Sequence, residues 1–518
     1  MQTAIRNALL AIGLLAVAIF YYWMNWSSEV PILGGDHSVY LLAADFLSPF
    51  ADQSHDITLA AMPYTFFPPL YPLVLAITGG TSAHIEIAHA VTISFLIASL
   101  ACFFVLVHQE TLNIYQSFLI TIIFAFLPTT FLQSFGILSE NLYLFLTLIA
   151  IWLLAKSDAP MSRLYMASVI IGLAAITRTI GITMVIAFAM HLFLYRRDRW
   201  MYLVASSLIP VVLWNVIKWL FGYTGGYLWL ITSVIKTTSF HDFLSSKLLT
   251  ESYGLWVGWI TSFDHIPSLL SLIVGSVIGA ICLAGTVHRA YHRKFDGVYL
   301  ILYFGVLLLW PSSPDARRFL YPVVPILLLH GLKFACYLMQ CFLPLKSSIY
   351  GYTYLLTIVL LALPATGFIF HQMVMAANDE NREYANSLYW YSGGDLNRTR
   401  MKINAYKKLT QSWQKISDVV PAGECVYSVD PVWLMLYADR PSYSTPQAPA
   451  KDQFLKEAKN CRYIYVASYA RPPYPLFYPR DYIMGQGQIV SVDRVEKMEG
   501  EPIVGMLVKM PKYDALGK

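Results

Sequence analysis

The 518-residue chain is rich in apolar side chains and poor in charge: 57% of its residues are hydrophobic, 13% are charged, and the mean hydropathy is +0.53. A soluble globular domain carries about 25% charged residues, so this composition excludes a soluble protein and predicts an integral membrane protein. The 36 basic and 31 acidic residues give a net charge of +5. Because the basic residues cluster in short loops between apolar runs, they indicate membrane orientation rather than nucleic-acid binding.

The apolar runs predict about eleven membrane-spanning helices, since a helix needs about 20 apolar residues to cross the hydrocarbon core. The first run follows Arg6 and continues into aromatic residues without a small-residue cleavage site, which favours an uncleaved span over a signal peptide. The runs at 164–177 and 180–195 are short, so a re-entrant hairpin remains an alternative to two crossings. The predicted spans lie at 6–24, 85–107, 115–134, 138–155, 164–177, 180–195, 201–220, 267–287, 297–311, 319–338 and 350–372.

The loops that hold most Lys and Arg share a side with Arg6 when every span crosses, which predicts a cytoplasmic N-terminus. The loop 25–84 and the polar tail then lie on the outer side. We expect a transmembrane catalytic module at 1–372, which includes that loop, and an extracytoplasmic (periplasmic) α/β domain at 373–518. A bacterial inner membrane is favoured over the endoplasmic reticulum.

The tail alternates strand-like and helix-like patterns, as expected of a small α/β domain. Cys425 and Cys461 each begin a strand-like run, and they are able to pair in an oxidising compartment, although sequence fixes no distance between them. The strand-like runs are ECVYSV, RYIYVAS, GQGQIVSVDRV and PIVGMLVKM; the helix-like runs are 382–419, VWLMLY and DQFLKEAKN.

The outer loop from Gly34 to Pro72 is acidic and aromatic and contains no Lys or Arg. It begins GGDHSVYLLAADF, where two glycines before Asp36 free the backbone, and it ends in MPYTFFPPLYP, where prolines hold the chain extended. If a helix begins at Asp36, Tyr40 lies on the same face. Asp36 is then a helix cap, a catalytic carboxylate, or both.

Three arginines lie at the outer ends of apolar runs. Arg178 lies in the turn ITRTIG, and an arginine there needs a partner, so it either anchors a neighbouring helix or lines a functional cavity. Arg317 and Arg318 lie in PSSPDARRFLYP. For these two the alternative is interfacial anchoring, with Asp315 as a local partner.

The order of these features resembles the GT-C glycosyltransferases, in particular the protein O-mannosyltransferase and aminoarabinose-transferase branch (glycosyltransferase family 39-like). The resemblance covers most of residues 1–340. It implies a membrane enzyme that takes a sugar from a polyprenyl-phosphate donor on the outer face. The segments that carry it are GGDHSVYLLA, PPLYP, ILSENLYLFLTLIA, GLAAITRTIGI and RRFLYPVVPILLL.

The resemblance also implies roles for individual residues. The O-mannosyltransferase branch has a glutamate where this chain has His37, and the aminoarabinose branch has a Glu-Lys pair where this chain has Phe66 and Phe67. The acceptor of neither branch is therefore implied. The matched positions are Asp36 as the catalytic aspartate, Tyr40, Tyr64 and Glu140 around the substrate, and Arg178, Arg317 and Arg318 at the donor phosphate. His37, which departs from the family pattern, is also predicted to bind the substrate.

The chemistry fits these residue types. Transfer from a lipid phosphate has an oxocarbenium-like transition state and an acidic leaving group, so one carboxylate suffices as general base while arginines bind the phosphate. We expect an inverting glycosyltransferase with Asp36 as base, no cofactor, and a glycan, lipid or protein acceptor. A divalent metal at Asp36 and Glu140 is the alternative, but no spacing supports it.

Two other functions remain as alternatives. A lipid-linked glycan ligase or polymerase would accept a diphosphate-linked oligosaccharide instead of a single sugar. A secondary transporter or flippase is disfavoured, because such proteins place polar groups at mid-membrane in two related halves.

Overall fold

The chain forms two compact units in the computed structural model. The first comprises residues 1–26, 66–71 and 89–374, and the second comprises 27–65, 72–88 and 375–518. Much of the predicted outer loop is thus grouped with the tail, while the functional division at residue 372 stays a prediction. The structure describes residues 2–26, 36–49, 57, 68–155, 159–195, 199–220, 248–264, 268–309, 316–342, 347–377, 407–446, 461–467, 483, 485, 487–495 and 503–511.

A helix lies over each of the predicted spans. Up to residue 377 the described helices are α1 (Gln2–Asn25), α2 (Asp36–Leu47), α3 (Leu70–Thr78), α4 (Ile85–Thr111), α5 (Ile114–Ala125), α6 (Pro128–Ser134), α7 (Glu140–Leu154), α8 (Met161–Ala175), α9 (Ile182–Tyr195), α10 (Trp200–Leu220), α11 (Leu248–Ile260), α12 (Leu269–Tyr291), α13 (Phe295–Leu309), α14 (Ala316–Leu320), α15 (Val324–Phe342) and α16 (Ser347–Ala377).

Several of these helices are able to cross a membrane. Within the described part of the chain, five are long and apolar enough on their own: Ile85–Thr111, Trp200–Leu220, Leu269–Tyr291, Ala316–Cys341 and Ile349–His371. Large apolar side chains along α10 are exposed, as expected of a helix that faces lipid. The chain is therefore a multi-pass membrane protein, and the count of eleven crossings stays a prediction.

The predicted span at 115–134 is a bent pair of helices rather than one straight helix. The Asn113 side chain accepts hydrogen bonds at the start of α5, and α6 begins at Pro128 after a bend of 60°. A proline fits the first position of a helix because no N–H is needed there. The preceding Leu127 is held extended, as the proline ring requires.

A buried ion cluster joins α4, α12, α13 and α15. Arg289 donates to the Glu110 carboxylate at 3.0 Å and to the Asp296 carboxylate at 2.6 Å. Asp296 also contacts His330 at 3.0 Å, and Lys333 donates to the Glu110 carbonyl at 2.7 Å. The Arg289 and Asp296 side chains are 12% and 3% exposed, so each depends on its partner to balance its charge.

The tail contains a five-stranded mixed sheet with strand order β2-β1-β3-β5-β4. β1 (Val426–Ser428) pairs in parallel with β2 (Ser442–Ser444) and with β3 (Tyr463–Ala467). β5 (Ile503–Lys509) pairs antiparallel with β3 and with β4 (Gln488–Val495). The four predicted strands are confirmed, and the sequence analysis missed β2 because three residues reading SYS show no apolar pattern.

The described part of the tail also contains the short helices α17 (Ile416–Val419) and α18 (Pro431–Ala438). α18 confirms the predicted helix VWLMLY; it connects β1 to β2 and packs against α2. Residues 407–414 are also helical. The predicted helix DQFLKEAKN and the part of 382–419 before residue 407 lie outside the described residues.

A disulfide joins Cys425 and Cys461, whose Cα atoms are 4.9 Å apart. Cys425 immediately precedes β1, and Cys461 lies just before β3, so the bond ties together the starts of two paired strands. Cys461 is also part of the buried core of the sheet, together with Tyr427, Ile464 and Val508. The pairing that the sequence left undecided is therefore present.

Candidate functional site

Glu140 is the first residue of α7, and its side chain is 0% exposed. A carboxylate is favourable here because a helix N-terminus carries partial positive charge. Its Oε1 accepts from Arg178 Nη1 at 2.6 Å and also from Arg318 Nε. Its Oε2 has no hydrogen-bond partner among the described residues. One buried carboxylate thus holds two of the predicted phosphate-binding arginines.

Arg178 is positioned by a tight turn between α8 and α9. Its backbone is extended, and its carbonyl accepts from the Gly181 N–H at 2.8 Å. A Cβ on Gly181 would lie 2.6 Å from the Ala174 carbonyl oxygen, so this close approach requires glycine. The guanidinium lies over the Phe319 ring, 5.9 Å from its centroid, a favourable cation–π distance. The turn ITRTIG thereby brings Arg178 to Glu140.

Arg318 is held in place by contacts of its neighbours in the chain. The Tyr303 hydroxyl donates to the Phe319 carbonyl at 2.6 Å, and the Tyr321 hydroxyl donates to the Asn141 side-chain oxygen at 2.6 Å. Both tyrosines are fully buried. These bonds connect the residues that adjoin Arg318 and Glu140, which fixes the two elements relative to each other. The sequence contains no indication of this role. Tyr321 lies in the quoted segment RRFLYP, whereas Tyr303 lies in none of the quoted segments.

In the cluster of Glu140, Arg178 and Arg318, two guanidinium groups contact one carboxylate. The Arg178 and Arg318 side chains are only 11% and 20% exposed, so solvent screens their charges weakly. Guanidinium groups bind phosphate oxygens through paired N–H donors. The role of Arg178 and Arg318 at a donor phosphate stays a prediction.

Arg317 adjoins Arg318 on α14 and is partly buried. A Cβ on Gly258 would lie 2.8 Å from the Arg317 backbone nitrogen. Helix α11 therefore packs directly on the backbone of α14 at this point. The role of Arg317 at a donor phosphate stays a prediction.

Asp36 begins α2 in the second unit, and the predicted helix is confirmed. Asp36 and Tyr40 share one face of it, as the spacing of four requires. His37 and Tyr40 are 5% and 2% exposed, so both side chains are buried. Tyr64 lies outside the described residues. The site roles of Asp36, His37, Tyr40 and Tyr64 stay predictions.

Asp45, near the other end of α2, is a further buried carboxylate. Its Oδ1 accepts from the Ser82 N–H at 2.9 Å, which ties α2 to the loop before α4. Burial raises the pKa of the Asp45 carboxyl, and the hydrogen bonds from Ser82 oppose that rise. In the sequence, Asp45 stands out only as one of the acidic residues of the outer loop.

The described residues contain no group of three His, Cys, Asp or Glu placed to hold a metal ion. The alternative metal site would need the carboxylates of Asp36 and Glu140 to bind the same ion. Metal independence stays a prediction.

No family model matches the chain, and no curated protein matches it. Solved structures do. ArnT from Cupriavidus metallidurans in the apo state is 12% identical, with a TM-score of 0.56 over 97% of this chain and 98% of that chain. The same protein bound to undecaprenyl phosphate is 11% identical, with a TM-score of 0.51 over 96% and 97%.

A further match is the archaeal oligosaccharyltransferase AglB from Archaeoglobus fulgidus, in complex with an inhibitory peptide and a dolichol-phosphate. It is 13% identical, with a TM-score of 0.48 over 89% of this chain and 69% of that chain. The ArnT match extends over almost the whole of both chains. At such low identity it establishes the fold, and it confirms the resemblance seen in the sequence: this chain has the fold of the GT-C glycosyltransferases.

Proposed function

We propose that this protein is an inverting membrane glycosyltransferase, which moves a sugar from a polyprenyl-phosphate donor to an acceptor hydroxyl on the outer face of the membrane. The observation that carries the proposal is the pair of arginines held at Glu140. Both contact this single buried carboxylate, one at 2.6 Å. Guanidinium groups held in apolar surroundings suit the phosphate of a membrane-embedded lipid.

The donor phosphate would lie against Arg178 and Arg318, with Arg317 beside them. In the transition state the bond from the sugar C1 to the phosphate oxygen breaks, and negative charge grows on the departing polyprenyl phosphate. Fixed guanidinium groups stabilise that charge where it develops. The leaving group therefore needs no proton donor.

Asp36 would act as the general base. Its carboxylate takes the proton of the acceptor hydroxyl while the hydroxyl oxygen bonds to C1 from the face opposite the phosphate. One such displacement inverts the configuration at C1. A single carboxylate is enough for this reaction, whereas glycosidases use a pair.

Two findings support the donor class and the orientation. The solved ArnT structure that shares this fold binds undecaprenyl phosphate, a lipid of the proposed product class. The disulfide between Cys425 and Cys461 favours an oxidising compartment for the tail. Both fit a bacterial inner membrane with the tail in the periplasm and the N-terminus in the cytoplasm.

The experiment measures polyprenyl phosphate released by purified protein in detergent, from a panel of polyprenyl-phosphate monosaccharides, with cell extract as acceptor source. We expect Asp36→Asn to abolish transfer while donor binding remains. We expect Arg178→Gln and Arg318→Gln to weaken binding of undecaprenyl phosphate by about 10- to 100-fold, the effect of losing a hydrogen bond to a charged group. Each single arginine variant leaves Glu140 paired with the other arginine.

Arg163→Gln is the matched control, because Arg163 lies over the Trp152 ring at the start of α8, away from the cluster. It removes one guanidinium without touching Glu140 and should bind the lipid as the wild type does. Full transfer by folded Asp36→Asn would eliminate the base role. Wild-type affinity in both arginine variants would eliminate the phosphate site. Release from oligosaccharide diphosphate donors alone would identify a ligase or polymerase instead.

A further inference from the structure

Polar residues lie at the carboxyl ends of β1 and β2 in the tail. The chain leaves β1 through α18 to reach β2 on one side, and β3 then pairs with β1 on its other side. Such a reversal of direction is a topological switch point. In sheets of parallel strands, ligands bind outside the carboxyl ends of the strands at this point.

Three polar residues occupy this edge, and we call them the switch-edge site: Ser428, Asp430 and Thr445. Ser428 is fully buried, and its Oγ accepts from the Asp430 N–H at 3.1 Å. The Thr445 N–H donates to the Ser428 carbonyl at 2.9 Å. Backbone hydrogen bonds therefore hold the three residues together just beyond the strands.

Two side chains of this site have no hydrogen-bond partner among the described residues. Thr445 is 7% exposed, and its Oγ1 is unpaired there. The carboxylate of Asp430 is partly buried, and burial raises its pKa. Buried polar groups are normally hydrogen-bonded. The Thr445 hydroxyl and the Asp430 carboxylate, whose backbones are both tied to Ser428, are therefore candidates to bind a polar ligand.

The switch-edge site is connected to the helix that begins at Asp36. Helix α18 starts at Pro431, directly after Asp430, and it packs against α2 within the same compact unit. The first residue of α2 is Asp36. Helix α18 thus connects the switch-edge site to the helix that carries the proposed base.

We propose that the switch-edge site binds a carbohydrate acceptor through its hydroxyl groups, an inference that rests on the proposed glycosyl transfer. The hydroxyl groups of a sugar are able to donate to the Asp430 carboxylate and to accept from the Thr445 hydroxyl. An ammonium group would pair with Asp430, but it has no lone pair to accept from Thr445. A ligand that carries several hydroxyl groups therefore fits these two side chains better than an amine does.

The first test is ligand-observed NMR on the full-length protein in a detergent without a sugar headgroup, with methyl hexosides and methyl pentosides as probes. We expect saturation transfer to at least one saccharide from the wild type, and its loss in Asp430→Asn and Thr445→Val. Thr445→Ser keeps the hydroxyl and should keep binding. Asp418→Asn is the control, since it makes the same chemical change at an exposed position in the tail.

The second test is kinetic and uses a saccharide found by NMR as acceptor. We expect Asp430→Asn and Thr445→Val to raise the KM for this acceptor by about 10- to 100-fold. Release of polyprenyl phosphate to water in the absence of acceptor should not change. This separation distinguishes acceptor binding from damage at the donor phosphate or at Asp36.

The two tests also separate failure of this inference from failure of the proposed function. No saccharide signal from the wild type, or equal signals from the wild type, Asp430→Asn and Thr445→Val, would overturn the acceptor site. Signals that depend on Asp430 and Thr445, in a protein that releases no polyprenyl phosphate from any donor, would keep the saccharide site and overturn the transferase.

Discussion

Replacing Glu140 with glutamine tests the central cluster most directly. The substitution preserves the size of the side chain and removes its charge. The guanidinium groups of Arg178 and Arg318, whose side chains are 11% and 20% exposed, then lose the carboxylate that both contact. Breaking a buried ion pair by removing one partner costs about 3–5 kcal/mol. That corresponds to a loss of about 150- to 5,000-fold in the folding equilibrium constant.

The measurement is equilibrium unfolding of the purified protein in mixed micelles, titrated with sodium dodecyl sulfate and followed by tryptophan fluorescence. The buffer must contain no phosphate, since a bound anion would offset the lost carboxylate. We expect the free energy of unfolding of Glu140→Gln to fall by about 3–5 kcal/mol relative to the wild type.

The matched control is Glu424→Gln. Glu424 pairs with Arg462 at 3.9 Å, and both side chains are about one-third exposed, at 33% and 31%. Exposed ion pairs contribute about 0–1 kcal/mol, so this variant should unfold nearly as the wild type does. If Glu140→Gln changes stability no more than Glu424→Gln, the charge of Glu140 does not hold the two arginines.

Three further predictions concern other parts of the chain. Asp296→Asn should lower the free energy of unfolding by about 3–5 kcal/mol, because Asp296 balances Arg289 at 2.6 Å; the same titration checks it, and an unchanged midpoint would contradict it. Reduction of the Cys425–Cys461 disulfide, which spans 36 residues, should lower the free energy of unfolding of the tail by about 4 kcal/mol on the chain-entropy model. Unfolding curves followed by tail tryptophan fluorescence with and without reductant measure this effect, and equal curves would exclude it. The folded-state pKa of Asp430 is raised by burial, so the unfolded chain releases the proton first and the free energy of unfolding falls as pH rises through that pKa. Asp430→Asn should flatten this fall in unfolding curves taken from about pH 4 to pH 7, and an identical dependence on pH in the variant and the wild type would refute the assignment.

The sequence predicted helices over the apolar runs and singled out Glu140, Arg178 and Arg318, because apolar runs of span length and arginines near a membrane boundary are strong local signals. The sequence does not predict which of these residues form ion pairs with each other. Glu140 meets Arg178 and Arg318 only after α7, the turn at Gly181 and α14 pack together. No spacing in the sequence encodes that meeting. The resemblance identified the residues, and the packing of the helices determines which of them form ion pairs.

The same limit applies to the positions that were missed. Tyr303 lies in the apolar run of α13, where an aromatic residue reads as packing, and its hydrogen bond to the Phe319 carbonyl depends on the approach of α14. Thr445 follows a three-residue strand with no alternation. Polar side chains whose role depends on another element leave no periodic signal, which explains why sequence analysis passed over both.

The two buried ionic clusters differ in composition. The first pairs Arg289 and Lys333 with Glu110 and Asp296, which sums to zero when His330 is neutral. The second places two arginines on one glutamate. If the proposed function holds, a phosphate bound at these arginines should stabilise the folded protein.

Undecaprenyl phosphate should therefore raise the free energy of unfolding of the wild type by about 2.7 kcal/mol when its free concentration is 100-fold above Kd. Arg318→Gln removes one of the two guanidinium groups at Glu140 and should lose about half or more of this stabilisation at the same lipid concentration. Lys333→Gln removes one positive charge from the other cluster, and it should respond to the lipid as the wild type does. Unfolding titrations with undecaprenyl phosphate, and with undecaprenol as the uncharged control, measure both effects. Equal stabilisation by the two lipids would show that the hydrocarbon chain, and not the phosphate, is what this fold recognises.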